Sequence, residues 1–405
     1  MNKLLQNVQG PTTAKERHVI LDALRGLALL GIALANFPEF ALWTFLSADE
    51  QQAMATAGID SVVRYMQYLL VDGKFYTIFS LLFGVGFSLI LSRHPVSLFV
   101  RRMLILVVIG FCHLMFIWSG DILLLYACGG LLLPLFIRLK DRTLLTVAVV
   151  LIVLPVGLDA LTEFAGIDFA RPFYDAWWAE ATRQGITEKN FATWLRDADS
   201  YPQMFVFLRQ GAYERMWEFA EGHRLPKVVG LFMLGYLIGK HRLYARLGEM
   251  PLRRACTIAF AIGAPTSILY AWSATHGHPW GQTVHSLLYA VSVVPMAAGY
   301  VTAMCLWYQS YPLSIFNWLA APGRMALSNY ISQSLVGVLL FYGLGFGWGC
   351  SFGLVYVELT AFAVFVLQIV FCKWWLRYFR FGPLEWVWRI LTYGRYFQFK
   401  VTKEV

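Results

Sequence analysis

One histidine and one aspartate stand out by where they fall. His113 interrupts an apolar run that begins at Met103, and Asp121 closes the turn WSGD that separates this run from the next apolar stretch. An ionisable group in hydrocarbon is costly, so it is kept where it pairs or works, and an imidazole oriented by a carboxylate is a general base. Arg101 and Arg102 open the same run. They lie roughly 16–18 Å along a helix from His113, so they can sit at headgroup level and bind phosphate while the imidazole is deep. Eight residues separate His113 from Asp121, about 12 Å along a continuous helix, so direct pairing requires the chain to bend back. A plainer reading makes the arginines topology signals and His113 a satisfied packing residue; both stand.

Other polar groups fall in or beside apolar stretches. Asn36 lies in the outer half of the first, where an amide needs a neighbouring helix or a ligand. Asp22 and Arg25 share a face of its first turn and can pair, and Arg25 joins Arg101 and Arg102 as a candidate cofactor-binding cation. Asn329 and Gln333 share a face and either line a cavity or bind two helices together. His285 and Glu358 fall on outer halves, where a base and an acid can meet; with Asn329 they form the candidate acceptor side. The sequence has no metal-ligand spacing, phosphate-cradling glycine loop or internal repeat, which argues against an ATP-driven machine.

These residues must be held by membrane helices. Of 405 residues, 58% are hydrophobic and 14% charged, and the apolar runs are too long for soluble core helices. The fold class expected is an all-α polytopic membrane protein with ten spans: 20–45, 75–92, 103–119, 122–138, 143–161, 227–240, 255–273, 284–307, 325–343 and 352–373. The net charge of +9 falls in short clusters between spans rather than on one face, a pattern that orients a membrane protein instead of binding nucleic acid. From Lys3, Lys15 and Arg17 at one terminus to Lys403 at the other, it predicts both termini in the cytoplasm, with Arg64 and Lys74 as outer cations. Residues 1–161 then form the first helical half with the cofactor site and 162–226 an extracytoplasmic helical insertion. Residues 227–378 form the second half, and 379–405 an amphipathic cytoplasmic tail. The aromatics of the insertion, among them Phe173, Tyr174, Trp177, Trp178, Trp194 and Tyr201, suit either sugar stacking or packing against each other. Gly84 and Gly86 suit close approach of a helix or of a slim ligand. The six cysteines read as small apolar residues, and the polar stretch to His18 does not read as a removed signal peptide.

LDALRG at 21–26, KFYTIFSLLFGVGFSLIL at 74–91, RR with GFCHLMFIWSGDILLLYACGGLLL at 101–133, GRMALSNYISQS at 323–334 and FRFGPLEWVWRILTYG at 379–394 together resemble the YeiB-like (DUF418) family of bacterial inner-membrane proteins. The opening, with a polar residue fourteen positions after Asp22, also resembles two transmembrane acyltransferase families, one acting on bacterial surface polysaccharides and one on lysosomal heparan sulfate. The first has a histidine at the position of Asn36 and the second an asparagine. The heparan family places its working histidine eleven residues further on, where this chain has Ser47. The resemblance implies that Arg101 and Arg102 face the phosphates of coenzyme A, and it leaves His113 as the imidazole able to replace the missing base.

The leading expectation is therefore a membrane acyltransferase of the bacterial inner membrane. It uses acyl-CoA as co-substrate and no metal, and passes an acyl group to an extracytoplasmic small molecule or glycan. Its other partners are the lipid bilayer and, left open, a second copy of itself; nucleic acid is not expected. His113 is general base, Asn36 holds the thioester carbonyl or the acceptor, and Asp121 orients. Two alternatives stand beside it: a proton-coupled transporter using His113, Asp121 and Glu358 as a relay, and a non-catalytic descendant of the acyltransferase fold.

Overall fold

The computed structural model describes residues 18–311 and 313–401; Lys3, Lys15, Arg17 and Lys403 lie outside the described residues. The helices in chain order are α1 (Val19–Phe40), α2 (Ala48–Gln52), α3 (Ala57–Leu70), α4 (Lys74–Leu91), α5 (Val96–Phe116) and α6 (Leu123–Leu132). They continue with α7 (Asp141–Ala165), α8 (Arg171–Arg183), α9 (Phe191–Asp197), α10 (Tyr201–Glu221), α11 (Arg224–Lys240) and α12 (Leu252–Thr275). The last are α13 (Gln282–Ser310), α14 (Leu313–Arg324), α15 (Ala326–Phe341), α16 (Leu354–Tyr378) and α17 (Pro383–Tyr393). Among the described residues no strand forms; one antiparallel bridge joins Phe379 to Lys400. Seven segments are long and apolar enough to cross a membrane, with α3 and α4 forming one broken segment, Ala57–Leu91, and the apolar Leu123–Phe136 and Ala326–Phe341 are shorter. The protein is a multi-pass helical membrane protein.

α1 is the axis of the bundle. More than half of its apolar window is buried, 56%, and it packs on α4, α14, α15 and α16. Its near end, at Val19, and its far end, at Phe40, define the two ends of the molecule. α5 and α15 run the same way, from near to far. Close approach between α4 and α11 depends on glycine: a Cβ on Gly84 would fall 2.0 Å from the Phe232 carbonyl oxygen, and one on Gly235 2.0 Å from that of Leu81. Gly86 faces open space, so packing accounts for Gly84 alone.

Proline inside a helix frees the carbonyl four residues before it. Pro38 in α1 frees that of Leu34, and Gln67 at the end of α3 donates to it at 3.1 Å. The α3–α4 pair breaks at Val71–Gly73, where Gly73 has φ +72°, and irregular backbone at this depth is tolerated where it lines a cavity. α3 was not expected, because Asp60 and Arg64 interrupt its apolar face. Asp60 is buried there, accepting from the Val355 amide at 2.9 Å and so capping α16. Lys74 is a correction: it is fully buried at the helix break, donating to the Tyr68 carbonyl at 2.6 Å, and is no loop cation.

Residues 162–226 hold α8, α9 and α10, and their aromatics pack on one another. Trp177 stacks on Trp217 at 4.9 Å and touches Tyr174 and Phe191, while its Nε1 donates to Gln210. At the near end α17 lies across α5 and α15. Glu385 of α17 accepts from the amides of Leu327 (2.7 Å) and Ser328 (3.0 Å), capping α15.

Candidate functional site

α5 ends at Phe116, and the chain turns back through Trp118 to Asp121 before α6 starts. That turn brings Asp121 to His113, Oδ1 to Nδ1 at 2.9 Å. The second carboxylate oxygen accepts the Leu124 amide at 2.7 Å, so Asp121 also caps α6. The carboxylate accepts, so Nδ1 carries the proton and Nε2 presents its lone pair. Facing Nε2 at 2.9 Å is the hydroxyl of Ser334, from the middle of α15. Asp121, His113 and Ser334 are all buried. Hydroxyl, imidazole and carboxylate thus stand in hydrogen-bonded order, an arrangement in which the imidazole can accept the hydroxyl proton.

A cavity of about 360 Å³ opens beside this triad in the far half of the bundle. Asp121 and Tyr330 belong to its wall, with Asn36 from α1 and His285 from α13. Tyr330 separates the cavity from the imidazole: its ring lies 5.2 Å from that of His113, and its hydroxyl accepts from the Ile122 amide at 3.3 Å. Arg215, from α10, also lines the cavity. It is buried and donates to the Ser119 carbonyl at 2.9 Å and to Glu39 at 3.4 Å, and it pairs with Glu218. Beside it, burial pushes the Glu214 carboxyl well up, and the nearby Glu218 adds to this. α7 closes another side with Ile152, Pro155 and Asp159, and ends beside the start of α13. Glu163 accepts the Thr283 amide at 2.8 Å.

The structure therefore pairs His113 with Asp121, places Asp121, Asn36 and His285 in the wall of one cavity, and separates the others from them. Arg25 pairs with Asp22 at 2.7 Å at the near end. Arg101 and Arg102 lie at that end too, in the second turn of α5 and not at its start, because the helix already begins at Val96. Arg102 lies 3.5 Å over the Trp388 ring of α17, and its carbonyl accepts the Trp388 indole N–H at 3.0 Å, while Arg101 is exposed. His285 and Glu358 do not meet: His285 bonds Ser273 at 3.0 Å and stacks on His278 at 3.9 Å, whereas Glu358 accepts from Gln67 at 3.0 Å. Asn329 donates to the Pro322 carbonyl at 3.0 Å and contacts Cys372. Gln333 donates to Gln368 at 2.9 Å, so both join α15 to α14 or α16 and neither lines the cavity. Ser47 forms a capping box with Glu50 on α2. Among the described residues no group of three metal-ligating side chains occurs.

Three residues of this candidate site carry no signal of their own in the sequence. Ser334 is one of several hydroxyls in α15, and nothing local separates it from Ser332. Arg215 is one cation among many in 162–226. Tyr330 is one aromatic in a chain with 20 Tyr.

The family model described as a protein of unknown function (DUF418) matches residues 240–395, which include Ser334 and Glu385. The chain is 31% identical to the uncharacterised protein YeiB of Escherichia coli K12, over 93% of this chain and 96% of that protein. It is 28% identical to the uncharacterised protein YxaH of Bacillus subtilis 168, over 95% and 96% of the two chains. It is also 28% identical to an uncharacterised 39.9 kDa protein in the amylase 3′ region of Bacillus acidopullulyticus, over 97% and 99%. No solved structure matches it. Similarity to YeiB along nearly the whole length, with the family match over the region that carries Ser334, assigns this chain to the YeiB-like DUF418 family.

Proposed function

We propose that this protein is an acyltransferase of the bacterial inner membrane that moves an acyl group from cytoplasmic acyl-CoA to an acceptor in the far-side cavity. The observation that carries the reading is the Ser334–His113–Asp121 chain of hydrogen bonds behind the cavity wall. His113 Nε2 takes the Ser334 proton as Oγ attacks the thioester carbonyl. The C–S bond breaks, coenzyme A leaves as its thiol with that proton, and the acyl group rests on Ser334 as an ester. An acceptor hydroxyl or amine then attacks this ester, giving its proton to His113, and Ser334 recovers its proton as it leaves. Asp121 holds the imidazole tautomer throughout. Asn36, in the cavity wall, is placed to donate to an acyl or acceptor oxygen. The three triad residues are buried, so loading requires Tyr330 to swing aside.

In this reading both termini and the near end are cytoplasmic, where exposed Arg101 meets the coenzyme phosphates, and ten helical segments cross or enter the bilayer. The acceptor is a small molecule or a glycan. A second reading, proton-coupled transport of a small solute, is favoured by the α3–α4 break at Val71–Gly73 beside a charged cavity. Purified protein in lipid nanodiscs separates the two. Acetyl-CoA should raise its melting temperature and release free thiol on the timescale of turnover. A protein that neither is stabilised nor releases thiol, yet moves solute in vesicles, is a transporter.

A further inference from the structure

Four helices begin at the cavity. α4 starts behind Asp72 and Gly73, α6 behind Asp121, α11 at Arg224 and α13 at Gln282. Helix N-termini present unpaired N–H groups and the positive end of the helix dipole. The chain answers two of them with its own carboxylates, Asp121 on the Leu124 amide and Glu163 on that of Thr283. α4 and α11 carry no side-chain cap. α11 also brings two cations into the wall. The Lys227 ammonium stands 4.5 Å from the Tyr289 ring centre and makes no hydrogen bond or ion pair among the described residues. Arg224 reaches Glu218 only at 3.9 Å.

Four of the five acids of the same wall are, by contrast, already engaged. Asp121 takes His113, Asp159 takes His223 at 3.0 Å and also Ser286, Asp72 takes the Tyr270 hydroxyl at 2.5 Å, and Glu39 takes Arg215. Glu221 stands exposed at the rim. The Tyr76 hydroxyl, from a wall residue, is buried without a partner. The unused hydrogen-bonding capacity of the cavity is thus cationic and donating, and a cation left uncompensated in such a place is costly. Two helix N-termini, a lysine and an arginine offer more donors than the two oxygens of a carboxylate accept, which favours phosphate.

We infer that the cavity binds a small phosphate ester, its phosphate held between Lys227, Arg224 and the uncapped starts of α4 and α11. That this ester is the acyl acceptor rests on the acyl-transfer reading; its binding does not. The phosphate can belong to a water-soluble ester or to a lipid headgroup. Two titrations without acyl-CoA distinguish these sources, both on the full-length protein in phosphatidylcholine nanodiscs. In the first, glycerol phosphate should bind by calorimetry while glycerol does not. Lys227→Gln should weaken binding about tenfold to a hundredfold, the share of one charge-assisted bond, Lys227→Arg should restore most of it, and Lys240→Gln at the near end should change nothing. In the second, for a lipid source, glycerol phosphate gives no heat, and adding phosphatidylglycerol raises the melting temperature of the wild type but not of Lys227→Gln. The inference is overturned if neither probe acts on folded protein, or if the folded Lys227→Gln, Arg224→Gln double variant responds as the wild type does.

Discussion

The Ser334 hydroxyl and His113 Nε2 lie 2.9 Å apart although 221 residues separate them in the chain. α5 and α15 both start at the near end, and the turn after α5 returns Asp121 to the other nitrogen of the same imidazole. If this alignment performs acyl transfer, His113→Ala should lower thiol release from acetyl-CoA by roughly 10² to 10⁴, the usual share of a general base. The variant also leaves Asp121 and Ser334 without their partner. A stability loss of about 1–3 kcal/mol is expected from an unsatisfied buried group, read as a lower melting temperature with acetyl-CoA binding retained. Normal turnover would remove His113 from the chemistry.

The two arginines in the second turn of α5 have different surroundings and should behave differently. Arg101 is exposed, so Arg101→Gln should weaken acyl-CoA binding by about 1.5–3 kcal/mol without lowering stability. Arg102 is stacked on Trp388, so Arg102→Gln should cost about 0.5–2 kcal/mol of stability through the lost cation–π contact. Calorimetry with acetyl-CoA beside thermal melts of both variants reads this. Equal affinity for Arg101→Gln and wild type would leave Arg101 a topology signal.

Glu385 is the tie between α17 and the start of α15. Burial pushes its carboxyl above the usual range, against the pull of the bonds from Ser328 and Leu327. A raised carboxyl pKa means that the folded protein holds this proton more tightly than the unfolded chain, so its contribution to stability falls as pH rises through the folded-state value. Relative to Glu385→Gln, which does not titrate, the wild type should gain melting temperature as pH is lowered from 8 towards 5. A constant difference between the two across that range would contradict the assignment.

Much of the site was legible in the sequence because membranes make ionisable groups conspicuous. His113 and Asp121 interrupt apolar runs, and Asn36 does so more weakly, so each drew attention before any contact was known. Their mutual distance was not legible, since it depends on the chain leaving the helix at Phe116 rather than continuing. Ser334 was hidden for another reason: helical serines commonly bond back to the preceding turn, and Ser334 itself reaches the Tyr330 carbonyl at 3.5 Å. The break before α4 was masked by the apolar character of both flanks, and the partners of His285 and Glu358 come from helices whose neighbours the sequence does not name.

The arrangement of ends is open to labelling. In a background lacking the six native cysteines, a single cysteine at Ser200 should react with an impermeant thiol reagent in intact cells. Labelling only after lysis would reverse the orientation and put the cavity on the cytoplasmic side.

The acyl-enzyme step can be observed without knowing the acceptor. Purified protein incubated with acetyl-CoA in the absence of acceptor, quenched and analysed by peptide mass spectrometry, should carry one acetyl group on the peptide containing Ser334. The same peptide should stay unmodified in Ser334→Ala and nearly so in His113→Ala, while Ser332→Ala should be labelled like the wild type. Thiol release with Ser334 unmodified in the wild type, or equal labelling in His113→Ala, would contradict the assignment of Ser334 as nucleophile and His113 as its base.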